Sequence, residues 1–117
     1  MMFSAAAAAD AGQKPGKVLR HIVLYKFKDE IKPEQVQEVI DAFKALPGKI
    51  DTVLKLEAGT NVSEEGKSEG LTHAFVVTFR DTKGRDIYIK HPAHLEYVNI
   101  VRERREKVVV FDFWVDE

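Results

Sequence analysis

Hydrophobic and polar residues along this chain follow two different periods, and the changes between them mark out six elements. Stretches dense in β-branched and aromatic residues, such as VLRHIVLYKFK and LTHAFVVTF, predict strands. Apolar positions three and four apart predict amphipathic helices. The elements are strands at 18–28, 50–61, 71–79 and 107–115, a helix at 33–46, and a helical region at 82–106 that breaks at residue 91. The order β-α-β-β-α-β predicts the α+β fold called ferredoxin-like, with an antiparallel four-stranded sheet.

Prolines and one aspartate define the ends of the predicted helices. Pro33 suits the first turn of the first helix, and Pro47 follows its end. Asp81 is a suitable side-chain cap for the second helical region. Pro92 disfavours helical backbone angles at His91, so the region should break there and restart with Pro92 in its first turn. We expect the restarted helix to end near residue 106, with the charged run RERREK as its solvated end.

The predicted strands are apolar on both faces, and one layer of helices can cover only one of them. Alternation places His21, Val23 and Tyr25 on one face of the first strand, with Ile22 and Leu24 on the other. The last strand, VVVFDFWV, is apolar on both faces as well. A second copy packed face to face would cover the remaining surface. The sequence therefore predicts a homodimeric α/β barrel with the helices outside, in preference to a monomer with one solvated sheet face.

Length and composition restrict the number of domains and the classes of partner. The 117 residues predict one globular domain at 17–117, preceded by a disordered N-terminal extension at 1–16. A net charge of −1 gives the protein no overall electrostatic attraction to nucleic acid or to an anionic membrane, so neither is expected as a partner. The absence of cysteine excludes disulfides and thiol chemistry. The alanine-rich start is typical either of the end of an export signal or of a cytoplasmic extension, and localisation stays open between the two.

The stretch YIKHPAHLEY contains the candidate chemistry. His94 shares a helical face with Val98 and Val101, so its imidazole should point toward the core. Partial burial favours the neutral imidazole, which is the form that a general base requires. Tyr88 lies one turn before the break, where its phenol can donate a hydrogen bond to a carbonyl as charge develops. The alternative interpretation is that both residues only pack a helix start.

The other histidines are weaker candidates. His91 occupies the break itself, where a local hydrogen bond or solvent is the expected partner. Two histidines at 91 and 94 could share a metal on a helix, but no third ligand is indicated by spacing, so we predict neither a metal nor a cofactor. His21 and His73 alternate with large apolar residues, and alternation does not decide which of them faces a cavity. Tyr25 and Trp114 are interpreted as packing residues.

Four segments together resemble one known family. HIVLYKFKDEI, LTHAFVVTF, YIKHPAH and the terminal VVVFDFWV are similar, in order and spacing, to the stress-responsive A/B barrel (Dabb) family of dimeric α+β barrels. The resemblance extends from about residue 19 to 115. It implies the family's ferredoxin-like fold and its dimer, in agreement with the argument from the two-faced sheet.

The resemblance also implies roles for three residues. The sequence looks most like the members of the family that close a ring in a linear polyketide by an aldol reaction, without a cofactor. There, a first-strand histidine, a tyrosine three residues before the HPAH motif and the second histidine of that motif line a pocket; they match His21, Tyr88 and His94. The implied function is a cofactor-free cyclase or isomerase that acts on a small apolar carbonyl compound. The alternatives are a non-catalytic stress-responsive or ligand-binding dimer and, by fold analogy alone, a haem-degrading monooxygenase.

Overall fold

The computed structural model describes residues 12–117, and its elements follow the predicted order. Strand β1 is the first element in sequence and an inner strand of the sheet, and helix α1 follows it through a short turn. A single 3-10 turn, Leu46–Gly48, ends α1 in the region where proline and glycine were expected to stop it. The bounds are β1 Lys17–Phe27, α1 Pro33–Lys44, β2 Val53–Thr60, β3 His73–Phe79, α2 Thr82–Lys90, α3 Pro92–Val101 and β4 Arg105–Asp116.

The four strands form one antiparallel sheet in the order β2-β3-β1-β4. The predicted ferredoxin-like fold is therefore confirmed. Pairing between β1 and β4 sets Tyr25 opposite Val108, Val23 opposite Val110 and His21 opposite Asp112. Residues opposite each other in an antiparallel pair point to the same face. This register brings the only acidic residue in the middle of β4 beside the histidine of β1.

One face of the sheet is covered by the three helices, and the core lies between them. Phe43 of α1 stacks on Phe75 of β3 with ring centroids 4.1 Å apart and planes within 2° of parallel. Tyr97 of α3 meets the edge of Phe43 at 4.9 Å. The other core side chains include Leu19, Val23, Phe27, Val39, Leu46, Val77, Phe79, Tyr88 and Val101. Trp114 packs against this cluster, as predicted.

The opposite face of the sheet carries no helix. We call it the open face; its apolar members on β1, β3 and β4 include Ile22, Leu24, Val76, Val109, Phe111 and Phe113. Phe111 is 62% exposed, and Phe113 and Val109 are also exposed. Such a continuous apolar surface is unusual on a soluble monomer. The prediction that helices cover one face only is confirmed.

The break at His91 forms as predicted. Asp81 caps α2, because its Oδ1 accepts a hydrogen bond from the Gly84 backbone N–H at 2.8 Å. His91 adopts extended backbone angles between the two helices, and its Nδ1 accepts from the Ala93 backbone N–H at 3.0 Å. Pro92 then begins α3. The break turns α3 so that the residues after it face the sheet.

The predicted end of the last helix is wrong. Helix α3 ends at Val101, and the run RERREK, interpreted above as a solvated helix end, instead turns and enters β4 at Arg105. The turn is held because the Lys28 backbone N–H donates to the Arg104 carbonyl at 2.9 Å. The Arg104 guanidinium reaches α1, where it donates to Glu38 at 2.7 Å. Tertiary pairing of these residues prevails over their helical propensity.

Only part of the predicted N-terminal extension, 1–16, is described. Residues 1–11 lie outside the described residues. At its described end, Gly12 accepts a backbone hydrogen bond from Thr82 at 2.8 Å, and Gly16 accepts one from Glu117 at 2.9 Å. No helix within residues 12–117 is both long and apolar enough to cross a membrane.

Candidate functional site

A cavity of about 260 Å³ lies between the sheet and the helices, close to the break at His91. Its wall includes side chains of strands β1 and β4 and of all three helices. The apolar lining consists of Val23, Phe43, Ile89, Val98, Val108 and Val110. All three residues predicted as site residues, His21, Tyr88 and His94, also line this cavity. The structure thus brings the predicted residues together.

Tyr88 is the most deeply placed polar residue of the site. It is 1% exposed, with its ring 5.1 Å from that of Phe79 and 4.6 Å from that of His94. Burial raises the pKa of Tyr88 above its usual value, so the phenol stays protonated. Its hydroxyl makes no hydrogen bond to any residue from 12 to 117, although it is not sealed from the cavity. The proton of Tyr88 is therefore available to a bound molecule.

The imidazole of His94 is oriented by the backbone of the preceding helix. Its Nδ1 lies 2.9 Å from the carbonyl oxygen of Ile89. A carbonyl can only accept, so Nδ1 carries the proton and Nε2 of the neutral ring has a free lone pair. Burial lowers the pKa of His94, while the bond to Ile89 opposes that shift and the nearby His21 adds to it. His94 is consequently a neutral base at pH 7.

His21 is held from the side opposite the cavity by a carboxylate. It is 6% exposed, and its Nδ1 lies 2.8 Å from Oδ1 of Asp112. The Asp112 carboxylate accepts, so Nδ1 of His21 carries a proton, and in the neutral ring the lone pair is on Nε2. The other carboxylate oxygen accepts from Arg85 of α2 at 3.0 Å. The result is a fixed chain from Arg85 through Asp112 to His21.

The sequence analysis missed Asp112 and Arg85. One signal could have found Asp112: it is the single charged residue inside the otherwise apolar VVVFDFWV. A charge in a half-buried strand requires a partner, and His21 on the neighbouring strand can provide one. Nothing in the local sequence marks Arg85, because its role depends on the tertiary packing that brings it within reach of Asp112, 27 positions away.

A second polar group lines the cavity at the end nearer the turn into β4. The hydroxyls of Tyr25 and Tyr97 are 2.8 Å apart, and Arg105 lines the same part of the wall. Burial raises the pKa of both tyrosines. The prediction that Tyr25 packs in the core is confirmed for its ring, which lies 5.9 Å from that of Phe75. It did not anticipate the paired hydroxyls.

The remaining histidines lie away from this cavity. His91 is the cap described above. His73 has its Nδ1 2.8 Å from Oγ1 of Thr72 and its ring against Phe27 at 5.2 Å. It borders a separate depression of about 300 Å³ near the loop before β3. Within residues 12–117, no three His, Asp or Glu side chains gather as metal ligands would.

The fold and the sequence agree with one family. The chain has the ferredoxin-like α+β fold, and the model of the Dabb family, the stress responsive A/B barrel domain, matches residues 19–115. The chain belongs to this family, as its sequence predicted. The stress-response A/B barrel domain-containing protein HS1 of Arabidopsis thaliana is 35% identical over 95 residues, 81% of this chain and 87% of that protein. Olivetolic acid cyclase of Cannabis sativa is 34% identical over 95 residues, 81% and 94% of the two chains.

Solved structures extend the comparison. Hydroxynitrile lyase from Passiflora edulis has a TM-score of 0.82 at 25% identity, over 88% of this chain and 97% of that one. A dimeric ferredoxin-like protein of unknown function from Thermobifida fusca has a TM-score of 0.73 at 26% identity, over 86% and 93%. The relatives therefore include two named enzymes with different reactions, together with proteins whose names state no reaction. Family membership alone does not determine what this chain does.

Proposed function

We propose that this protein is a cofactor-free enzyme that removes a proton next to a carbonyl group and makes a carbon–carbon bond, in the manner of an aldol cyclase. One observation carries the proposal: a protonated phenol with a free hydroxyl and two imidazoles with free Nε2 atoms line the same apolar cavity. A non-catalytic core has no reason to leave three such groups without partners. Relatives named as a cyclase and a hydroxynitrile lyase support a carbonyl chemistry.

Each side chain has one task in the proposed reaction. Nε2 of His94 takes the proton from the carbon next to the carbonyl, and the C–H electron pair forms the enolate. The Tyr88 hydroxyl donates to the carbonyl oxygen as it becomes negative. The enolate carbon then attacks a second carbonyl of the same molecule, and the new alkoxide takes a proton back from His94. Nε2 of neutral His21, whose Nδ1–H donates to Asp112, accepts a hydrogen bond from a hydroxyl or enol O–H of the same molecule and so orients it.

The cavity volume restricts the size of the substrate. An apolar cavity of 150 Å³ holds a benzene-sized molecule, so about 260 Å³ admits about ten non-hydrogen atoms. A larger substrate would have to leave part of its chain in the mouth between β4 and α3. We therefore propose a small, mostly apolar carbonyl compound as the ligand.

We also propose that the enzyme is a homodimer joined through the open face. The dimeric relative from Thermobifida fusca supports this assembly, as does the exposed apolar row on β4. A second copy buries that row in the same way on both subunits. The helices and the cavity openings then lie on the outside of the barrel.

Deuterium exchange tests the chemistry without knowledge of the natural substrate. Simple ketones and diketones of up to ten non-hydrogen atoms are incubated with the protein in D₂O, and loss of the α-proton signal is followed by NMR. We expect exchange above the buffer rate, and a decrease of at least about a hundredfold in His94→Ala and in Tyr88→Phe. His91→Asn is the matched control, because it removes an imidazole outside the cavity and retains a capping side chain.

The result also separates the enzyme from a non-catalytic binding module, the alternative left by the sequence. Compounds that raise the melting temperature of the wild type but not of His94→Ala, with no exchange in either, identify a binding module. Exchange that His94→Ala and Tyr88→Phe leave unchanged contradicts the proposed roles.

A further inference from the structure

The end of the cavity at Tyr25, Tyr97 and Arg105 contains hydrogen-bond donors without an acceptor. Tyr25 and Tyr97 have one proton each, and their single mutual bond of 2.8 Å uses one of the two. Whichever hydroxyl accepts, its own proton remains free for a third group. Arg105 also donates to the Tyr25 hydroxyl, which uses a lone pair of that oxygen and none of the two phenol protons. The pair is therefore a donor toward the cavity.

Arg105 adds a positive charge at the same place. It begins β4 opposite Phe27, on the face of the sheet that the helices cover, and lines the cavity. Its neighbours in sequence are paired: Arg104 donates to Glu38 at 2.7 Å, and Glu106 accepts from Lys26 at 3.0 Å. Arg105 makes no ion pair with any carboxylate between residues 12 and 117. A guanidinium has five N–H donors; the Tyr25 hydroxyl accepts from this one, and the apolar part of the wall has no acceptor for the remaining donors.

The group that would satisfy these donors is an anion with coplanar acceptor oxygens. A carboxylate accepts two parallel bonds from a guanidinium and can accept a further bond from a phenol. The opposite part of the cavity contains Tyr88 and His94, and the ring of Tyr97 is 6.3 Å from that of His94. One small molecule can therefore extend from Arg105 to the proposed reacting groups.

We propose that Arg105 and the Tyr25–Tyr97 hydroxyl pair form a carboxylate-binding subsite, and that the ligand of the cavity is a small oxo acid. That the ligand also contains a carbonyl group rests on the proposed function. The carboxylate-binding subsite requires only the donors of Arg105 and of the Tyr25–Tyr97 pair. It selects for ligands that have a carboxylate a few bonds away from the carbonyl.

Matched acids and esters test the subsite by binding alone. The probes are 4-oxopentanoate and 5-oxohexanoate, the methyl ester of each, and acetate as an anion without the carbonyl end. Dissociation constants are measured by NMR titration for the wild type, Arg105→Gln and Tyr97→Phe. We expect each oxo acid to bind at least about tenfold more tightly than its ester, because charge-assisted hydrogen bonds are among the strongest. Acetate should bind more weakly than either acid.

The variants assign the preference to these residues. Arg105→Gln should remove the preference for acid over ester, and Tyr97→Phe should reduce it about threefold while the aromatic ring stays in the core. Arg102→Gln, an exposed arginine of the same run, is the control and should change nothing. Melting curves of all variants verify that the fold is retained.

Failure of the subsite and failure of the proposed enzyme give different results. Equal binding of acid and ester, a preference that survives Arg105→Gln, or acetate bound as tightly as the oxo acids overturns the subsite, whatever the exchange assay shows. Arginine-dependent binding of the acids without α-proton exchange supports the subsite and contradicts the enzyme. Exchange in the esters but not in the acids supports the enzyme and contradicts the subsite.

Discussion

Replacing Phe111 by glutamate should dissociate the proposed dimer. Phe111 points to the open face from the middle of β4, opposite Ile22 of β1. It is the most exposed aromatic side chain of that face, at 62%. A carboxylate there would have to be buried without a partner if a second sheet packed on it. The substitution therefore tests the open face directly.

The expected effect follows from the exposed area. A phenylalanine has roughly 150–250 Å² of surface, so about 120 Å² of Phe111 is open. At about 25 cal/mol per Å², covering it contributes about 3 kcal/mol for each protomer. A twofold interface uses the residue twice, which gives about 6 kcal/mol, or about four powers of ten in the dissociation constant. Imperfect burial reduces this free energy, and we expect the dissociation constant of the dimer to rise by roughly 10³-fold or more.

Sedimentation equilibrium over nanomolar to high-micromolar concentrations measures the dissociation constant. Leu95→Glu is the matched control, because Leu95 is 53% exposed but lies on the outer side of α3. The control should dimerise like the wild type, while Phe111→Glu should be monomeric at micromolar concentration. A monomeric wild type, or a Phe111→Glu variant as tightly dimeric as the control, would refute the reasoning from the open face.

Three further predictions concern single groups. Because burial lowers the pKa of His94, the α-proton exchange rate should rise with pH to a plateau that is reached before pH 7. NMR exchange measured from pH 4 to 9 gives the midpoint of this rise. A midpoint above 6.5 would contradict a neutral His94 base. The pKa of His94 is lower in the folded protein than in the unfolded chain. Its neutral form therefore adds to the folding stability above the unfolded-state pKa, and this contribution is lost as pH falls through the folded-state pKa. Asp112→Asn removes a charge-assisted bond to His21, so urea unfolding should show a loss of about 1.5–3 kcal/mol. Asp81→Ala removes the cap on Gly84 and should cost about 1 kcal/mol in the same assay without changing exchange; a loss of exchange would indicate that the cap positions α2 for the site.

Local rules predicted most of the fold. Strand periodicity and the proline positions gave the element order and the break at His91, because those signals act within a few residues. They failed at the end of α3, where pairing of Arg105 with Phe27 of a distant strand decides the structure. A run of charged residues contains no local sign that one of them will line a cavity. The pairing of β4 with β1 therefore determines where α3 ends, and the helical periodicity did not predict that end.

The candidate site was predictable only in part. The helical face of His94 followed from its spacing to Val98, and the family resemblance identified His21 and Tyr88. The roles of Asp112 and Arg85 depend on which strands are neighbours and on where α2 packs, so single-sequence patterns do not encode them. The Tyr25–Tyr97 contact joins residues 72 positions apart and has the same origin.

Strand β4 connects the proposed chemistry with the proposed assembly. Consecutive residues of a strand point in opposite directions, so Phe111 lies on the open face while Asp112 lies on the other face and accepts a hydrogen bond from His21. When the subunits separate, β4 loses the packing on its open face and has fewer contacts that hold it in place against β1. Catalysis per protomer should accordingly decline when the protein is diluted until subunits separate, and return on concentration.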